Sequence, residues 1–426
     1  MSKYKKFIFN NYRFDKQAKR LELSYSYDDQ LNFSEIYTFD FDFINYNPEA
    51  LEKTFSLIFY LAGVSYFKMF LAKEIAVKKG QIDENLASFL NKTYLKGLGE
   101  FFYVNHLDPS TKIEFPINTP KLEPVTLNHQ AGLLIGLGGG KDSLLSVELL
   151  SDQPKVATWS LGHISQLEPL VKQVGLKHFF VKRELDPQIS SLNLQGALNG
   201  HIPISAIISA VGSAVAVLSG FRDVIVSNES SASEANLIYQ DVAINHQYSK
   251  SLEYERDFQQ QLKRLFNDGI RYYSLLRPFS ELRIAELFTA YFNKYKLVFS
   301  SCNRAFRISQ DHLFWCGECP KCAFAYLIFT PFIDRDELSS LWHNKNLLLD
   351  PKLETTYREL LGISGDKPLD CVGEIKEART AMILAQKVYP ELKKYNFDVP
   401  LDYDYKAWSD QAMPDTMLKF LKSKIA

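Results

Sequence analysis

The chain has almost no charge of either sign in excess: 49 lysines and arginines stand against 50 aspartates and glutamates in 426 residues. No overall basic field draws it to nucleic acid, and no nucleic-acid partner is expected. Internal repeats, low-complexity tracts and long linkers are absent, and the length suffices for two or more domains with cores of their own. Cysteine is scarce, five in all. The first residues, Met-Ser-Lys-Tyr-Lys-Lys-Phe-Ile-Phe-Asn-Asn, have positive charges but no long apolar run behind them, so they do not read as a signal peptide. Few cysteines and no secretory signal point to a reducing compartment, and the expected location is cytoplasmic. Long uncharged runs are also few. Ile202–Phe221 carries no charge and Thr54–Ala72 only Lys68. The first contains Pro203 and four serines and lies between two predicted strands, where a doubly wound fold needs a crossover helix. Both runs read as buried helices, and no membrane insertion is expected.

Aromatic residues, by contrast, are abundant, with 31 Phe and 23 Tyr. Residues 12–44 alternate in the manner of half-buried strands around the turn Asp28-Asp29-Gln30, which predicts a hairpin. Helical patterns follow over Pro48–Lys79 and Asp83–Phe102, giving a compact α+β unit with a proline-punctuated junction at Pro116–Pro124. Beyond it, strands predicted at Gly132–Gly136, Lys155–Leu161, His178–Lys182 and Asp223–Ser227 alternate with helices at Lys141–Leu150, Leu167–Val174 and Ile204–Leu218. That is the pattern of a parallel sheet with crossover helices. Ligands of such sheets sit beyond the carboxyl ends of the strands, so the loops after Gly136, Trp159 and Ser227 should meet at one crevice.

The segment Ala-Gly-Leu-Leu-Ile-Gly-Leu-Gly-Gly-Gly-Lys-Asp-Ser, residues 131–143, runs an apolar strand into glycines and then a helix start. Gly138, Gly139 and Gly140 can bring bare backbone N–H groups up to phosphate oxygens, and the helix aims the positive end of its dipole there. A Walker A loop would need glycine at Ile135 and Ser or Thr at Asp142; G-x-G-x-x-G fails at Lys141 or at Ser143. What fits is Gly-Gly-x-Asp-Ser, which resembles the PP-loop of the ATP pyrophosphatases, usually Ser-Gly-Gly-x-Asp-Ser. Gly138 replaces the first serine. The resemblance implies ATP, with Mg2+, and activation of a carboxyl or carbonyl oxygen with AMP.

A second constellation is Cys302 with Cys316-Gly-Glu-Cys319-Pro-Lys-Cys322. Thiolates at this spacing, with Gly317 and Pro320 shaping a knuckle, can converge on one metal; four soft sulfurs favour structural Zn2+ over an iron–sulfur cluster. A helix face of unliganded cysteines is the alternative. Cys371 stands apart and reads as buried rather than reactive.

The order of parts is similar to 7-cyano-7-deazaguanine synthase: the glycine loop, then Leu276-Arg277-Pro278-Phe279-Ser280-Glu281-Leu282, then Ser301-Cys302 and the knuckle. This chain is longer at both ends. It resembles more closely the MurL family, the UDP-N-acetylmuramoyl-L-alanyl-L-glutamate epimerases. The matching features are Tyr12-Arg13-Phe14-Asp15, the glycine loop, Ser227-Asn-Glu-Ser-Ser, Ser301-Cys-Asn-Arg-Ala-Phe, Trp315-Cys-Gly-Glu-Cys-Pro-Lys-Cys and Cys371-Val-Gly.

The resemblance implies an ATP-dependent epimerase acting on UDP-MurNAc-L-Ala-L-Glu in peptidoglycan synthesis. It implies an α/β fold with a PP-loop (HUP-like) parallel-sheet domain, helices on both faces. The expected units are an α+β domain over 1–124, the PP-loop domain with the four-cysteine knuckle over 125–340 and a mainly helical extension over 341–426. Gly138, Gly139, Gly140, Ser143, Ser160 and Asn228 are the candidates for binding the nucleotide, with Lys141 as a possible charge contact unless it is solvated. Asp142 is expected to orient the loop or hold magnesium. The α-proton base is not identified; Glu229, Glu234 and His246 are candidates because they follow the strand end at Ser227. Arg304 and Arg307 are candidates for substrate carboxylates or diphosphate, with surface ion pairing as the alternative. The competing functions are carboxylate adenylation leading to other products, including tRNA modification, and non-catalytic ATP sensing.

Overall fold

The computed structural model describes residues 3–127, 131–306, 310–399 and 402–425. Its centre is one nine-stranded sheet with the order β11-β8-β5-β6-β7-β3-β2-β1-β4. The strands are β1 (Lys6–Asp15), β2 (Arg20–Tyr27), β3 (Leu31–Phe39), β4 (Glu74–Val77), β5 (Leu133–Gly136), β6 (Val156–Leu161), β7 (His178–Glu184), β8 (Asp223–Val226) and β11 (Arg271–Ser274). β9 (Leu237–Tyr239) and β10 (Val242–Ile244) form a separate hairpin.

The predicted hairpin is part of a three-stranded antiparallel meander. Leu21, Leu23, Tyr25 and Tyr27 alternate inward from β2, and the turn into β3 uses Asp28 and Asp29 at φ 51 and 56, a region that short polar side chains tolerate. The helix expected over Pro48–Lys79 is shorter. It runs Pro48–Ala62, started by Asn47, whose side chain accepts from Glu49 and Ala50 N–H, and Glu74–Val77 instead forms β4, parallel to β1. The four residues Glu-Ile-Ala-Val are too few to carry a helical period, and the open edge of β1 decides their conformation.

β11, β8, β5, β6 and β7 are mutually parallel. β5 comes first in the chain and lies between β6 and β8, so winding reverses there. This makes the ends of β5 and β8 the switch point where an open α/β sheet leaves a crevice. The sheet as a whole continues across the junction expected near residue 124. β7 pairs antiparallel with β3, Phe39 opposite Val181, and the N-terminal meander extends the same sheet.

Two cores flank the sheet. Leu134 of β5 faces one, built from the N-terminal aromatics and the helices Pro48–Ala62, Ile204–Ser219 and Leu252–Phe266. Leu133 and Ile135 face the other, built with Lys141–Leu150, Glu281–Phe288, Pro320–Phe329 and Ile375–Ala385 of the C-terminal extension. The uncharged run at 202–221 is the buried helix Ile204–Ser219, capped by Gly220 at φ 74. Gly212 lets this helix touch the sheet: a Cβ there would stand 2.6 Å from the Trp159 ring. Among the described residues no helix is long and apolar enough to cross a membrane.

Candidate functional site

The glycine loop occupies the switch point. After β5, Leu137 N–H donates to Trp159 O at 2.8 Å, and Gly140, in extended conformation, precedes the helix Lys141–Leu150. Among the described residues no side chain caps this helix start, so its first N–H groups are free to meet an anion. Gly139 has φ 87, and a Cβ there would lie 2.9 Å from the Phe306 ring and 3.2 Å from Leu167. Only glycine fits without strain. Gly138 is different: a Cβ would meet nothing within 4 Å, so the missing serine of the usual motif is not excluded by space. Ser143 Oγ accepts from Gly138 N at 3.3 Å and donates to Gly140 O at 3.1 Å, closing the loop on itself.

The loop rests on the cysteine segment. Ser300 N–H donates to Gly139 O at 3.0 Å, and Ser301 lies against Gly140. From there Cys302 turns toward the knuckle. The four Sγ atoms of Cys302, Cys316, Cys319 and Cys322 all lie within 4.8 Å of one another. Cys302 and Cys319 are 3.8 Å apart, Cys316 and Cys322 3.7 Å. Gly317 at φ 70 makes the turn, its N–H directed at Cys322 Sγ and that of Glu318 at Cys316 Sγ, each at 3.4 Å. Cys322 lies in the helix Pro320–Phe329 and Cys319 caps it, so the four do not share one helix face. Such a set of sulfurs fits a tetrahedral metal and leaves no open position.

Lys141 is not solvated but buried in ion pairs. It is 5 % exposed, 2.5 Å from Asp142 Oδ1 and in contact with Glu281, which starts the helix Glu281–Phe288 behind the Ser280 cap. Burial alone would raise the Glu281 carboxyl, but Lys141 and Lys321 outweigh it and hold it well below the usual range. Glu377 approaches from Ile375–Ala385, its carboxylate accepting from Glu281 N at 2.8 Å and Glu374 N at 2.7 Å. Burial, then Glu374, pushes Glu377 up to about 8.

Of the expected nucleotide contacts beyond the loop, Ser160 Oγ is 3.0 Å from His178 Nε2 at the end of β6. Asn228 follows β8, its carbonyl accepting from Ser274 Oγ at 2.6 Å. Ser227 Oγ and Ser146 Oγ, 2.7 Å apart, tie β8 to the helix after the glycine loop.

The three candidate bases separate. Glu229 is 5 % exposed and carries a carboxyl raised to about 7, by burial first and then by Glu281, with Lys250 opposing. Glu234 is held in an ion pair with the buried Lys367 at 2.7 Å. His246 contacts Glu100 through Nδ1 and faces Cys371 Sγ at 3.8 Å through Nε2. Arg304 pairs on the surface with Glu318 at 2.6 Å, and Arg307 lies outside the described residues.

Cys371, expected to be buried and inert, is half-buried beside Lys250, with Nζ 3.2 Å from Sγ. Lys250, Lys321 and Glu281 join the site only through the fold. The only signal for Glu281 was its place after Arg-Pro-Phe-Ser, and for Cys371 the tripeptide Cys-Val-Gly.

Residues 1–275 match the model of the MurL N-terminal domain, and residues 298–395 that of the MurL C-terminal domain. The chain belongs to the MurL family. Among MurL relatives, a protein of Xanthomonas oryzae pv. oryzae is 39 % identical over 347 residues, covering 80 % of this chain and 76 % of the relative. One from Salinispora tropica is 35 % identical over 387 residues, 89 % of this chain and 84 % of the relative. A third, from Micromonospora sp., is 36 % identical over 340 residues, 79 % of this chain and 75 % of the relative. Each is named UDP-N-acetyl-alpha-D-muramoyl-L-alanyl-L-glutamate epimerase. The helix Glu281–Phe288, which carries the partner of Lys141, falls between the two matched MurL regions.

Proposed function

We propose that this MurL protein epimerises the terminal glutamate of UDP-MurNAc-L-Ala-L-Glu from L to D, using ATP to activate its α-carboxylate, in peptidoglycan synthesis in the cytoplasm. The observation that carries the reading is the match to both MurL domains, joined to three relatives that bear this epimerase name.

Removing the α-proton beside a free carboxylate would place a second negative charge next to the first. An acyl-adenylate removes that charge and makes the carbonyl electrophilic, so the α-proton comes within reach of a side-chain base. Reprotonation on the opposite face and hydrolysis then give the D-centre and AMP. In this reading the backbone N–H groups of Gly138–Gly140, the uncapped helix start and Ser143 hold the leaving pyrophosphate. Lys141, buried against Glu281, sets the pose of the loop instead of touching phosphate. Asp142 is the carboxylate that would hold magnesium, whose charge would offset that of the phosphates. Zinc on the four cysteines would fix the segment on which the loop rests.

The test is incubation of the protein with ATP, magnesium and the dipeptide substrate, followed by chiral analysis of the glutamate and assay of AMP. D-Glutamate formed only when ATP is present is the expected result. AMP without any D-glutamate would leave a carboxylate-activating enzyme of another kind, and the absence of both products would overturn the reading outright.

A further inference from the structure

Activation of the carboxylate still requires a base for the α-proton, and one cluster linked to the glycine loop has the chemistry for it. Cys371 Sγ lies 3.2 Å from Lys250 Nζ and 3.8 Å from His246 Nε2. The other nitrogen of His246 is held by Glu100, whose carboxylate also lies 3.6 Å from His201 Nδ1. This orients the imidazole and supports its protonated form, which, beside an ammonium, favours the thiolate. Burial alone would raise the Cys371 thiol, but Lys250 and His246 outweigh it and bring it down to about 6; Lys321 adds to this. Asp370, whose carboxyl burial raises, precedes Cys371 and bonds Asn303.

A chain of contacts joins the cluster to the loop. Lys321 donates to the Cys371 carbonyl and lies 3.5 Å from Glu281, which pairs with Lys141. Arg277 donates to the carbonyls of both Glu229 and Lys250, which holds the segment after β8 against the lysine that faces Cys371. Lys250 feels the charges of Cys371 and Glu229 alike. The Cys371 thiol and the buried Glu229 thus belong to one network around Lys250, Glu229 on the segment that follows β8 at the switch point.

We propose that Cys371 takes the α-proton of the activated L-glutamyl residue as a thiolate held by Lys250 and His246, and that Glu229 delivers a proton to the opposite face. This rests on the epimerase reading. In the step, the Cα–H bond breaks as the S–H bond forms, and the electron pair passes into the enolate of the adenylate. The Glu229 O–H bond then breaks as a new Cα–H bond forms. The thiol and carboxylate return to their starting states by proton exchange with solvent. Lys250 and His246 are positioning residues.

The experiment compares wild type, C371S and E229Q with ATP, magnesium and the dipeptide in deuterated water, reading α-carbon deuterium, glutamate configuration and AMP. C371S is expected to lose α-deuterium from the L-substrate by about 10²–10⁴-fold while still releasing AMP in a dipeptide-dependent reaction. E229Q is expected to exchange the α-proton of the L-substrate without inverting it. C371S retaining incorporation within about threefold of wild type would overturn the proposal while the epimerase reading stands. A wild type that incorporates no deuterium would overturn the reading and the proposal together. E229Q inverting at the wild-type rate removes Glu229 from its role.

Should C371S lose both signals, iodoacetamide labelling of Cys371 in the full-length wild type, mapped by mass spectrometry, decides. Labelling that rises with an inflection near pH 6, moves to higher pH in K250M and abolishes exchange in proportion supports the thiolate. An inflection at the unperturbed value of about 8.5 contradicts it.

Discussion

Lys141, the first residue of the helix that leaves the glycine loop, is buried against Glu281, 140 residues further along the chain. The pair anchors the loop to the C-terminal half of the molecule, with Lys321 and Glu377 around it. A lysine that reads in sequence as a phosphate contact is thus a buried partner of two carboxylates.

Breaking this pair is expected to cost stability. E281Q removes a charge shared by Lys141 and Lys321, and we expect a loss of about 3 kcal/mol, the low end for a broken buried ion pair. Urea unfolding at neutral pH checks it, and K141M/E281Q should lose less than the sum of the two single variants.

The glycines should respond unequally. G139A forces a side chain into φ 87 and against Phe306, with an expected loss of about 1–3 kcal/mol and impaired AMP formation. G138S enters open space and should leave stability within about 0.5 kcal/mol. Thermal unfolding of the two variants side by side, with dipeptide-dependent AMP release, tests the contrast.

Glu377 predicts the sign of a pH effect. Its folded carboxyl is raised from 4.5 to about 8, so between these values the folded state holds a proton that the unfolded chain has released. Stability should therefore fall with rising pH in this window, by up to about 1.4 kcal/mol per pH unit for this group. E377Q should flatten that slope. Glu281 acts in the opposite sense: its depressed carboxyl contributes stability that is lost only as pH falls through its lowered value.

The cysteine knuckle should carry metal. The purified protein is expected to contain about one zinc per chain, lost in C316S/C322S with a lower unfolding temperature. Elemental analysis reads this directly, and protein free of both zinc and iron would contradict it.

Much of the site was legible because its signals are local. An apolar strand, glycines and a helix start occupy residues 133–150 in sequence order, and three of the four knuckle cysteines lie within 316–322. Pairing between distant elements was not. β3 joining β7 merges the expected N-terminal unit with the parallel sheet, and no periodicity within either strand specifies that register. β4 is too short to show a period, and it forms because β1 offers an edge. Buried charge was hidden for a similar reason: Lys141, Glu281 and Lys321 look like ordinary surface residues until folding brings their partners together. Cys371 looked inert alone; Lys250 and His246, more than 100 residues away, change its chemistry.

The most direct measurement is isotopic. Wild-type protein incubated with ATP, magnesium and UDP-MurNAc-L-Ala-L-Glu in deuterated water should give D-glutamate bearing deuterium at the α-carbon, with AMP formed in step. Glutamate that stays L and carries no α-deuterium while the protein is folded would contradict the account.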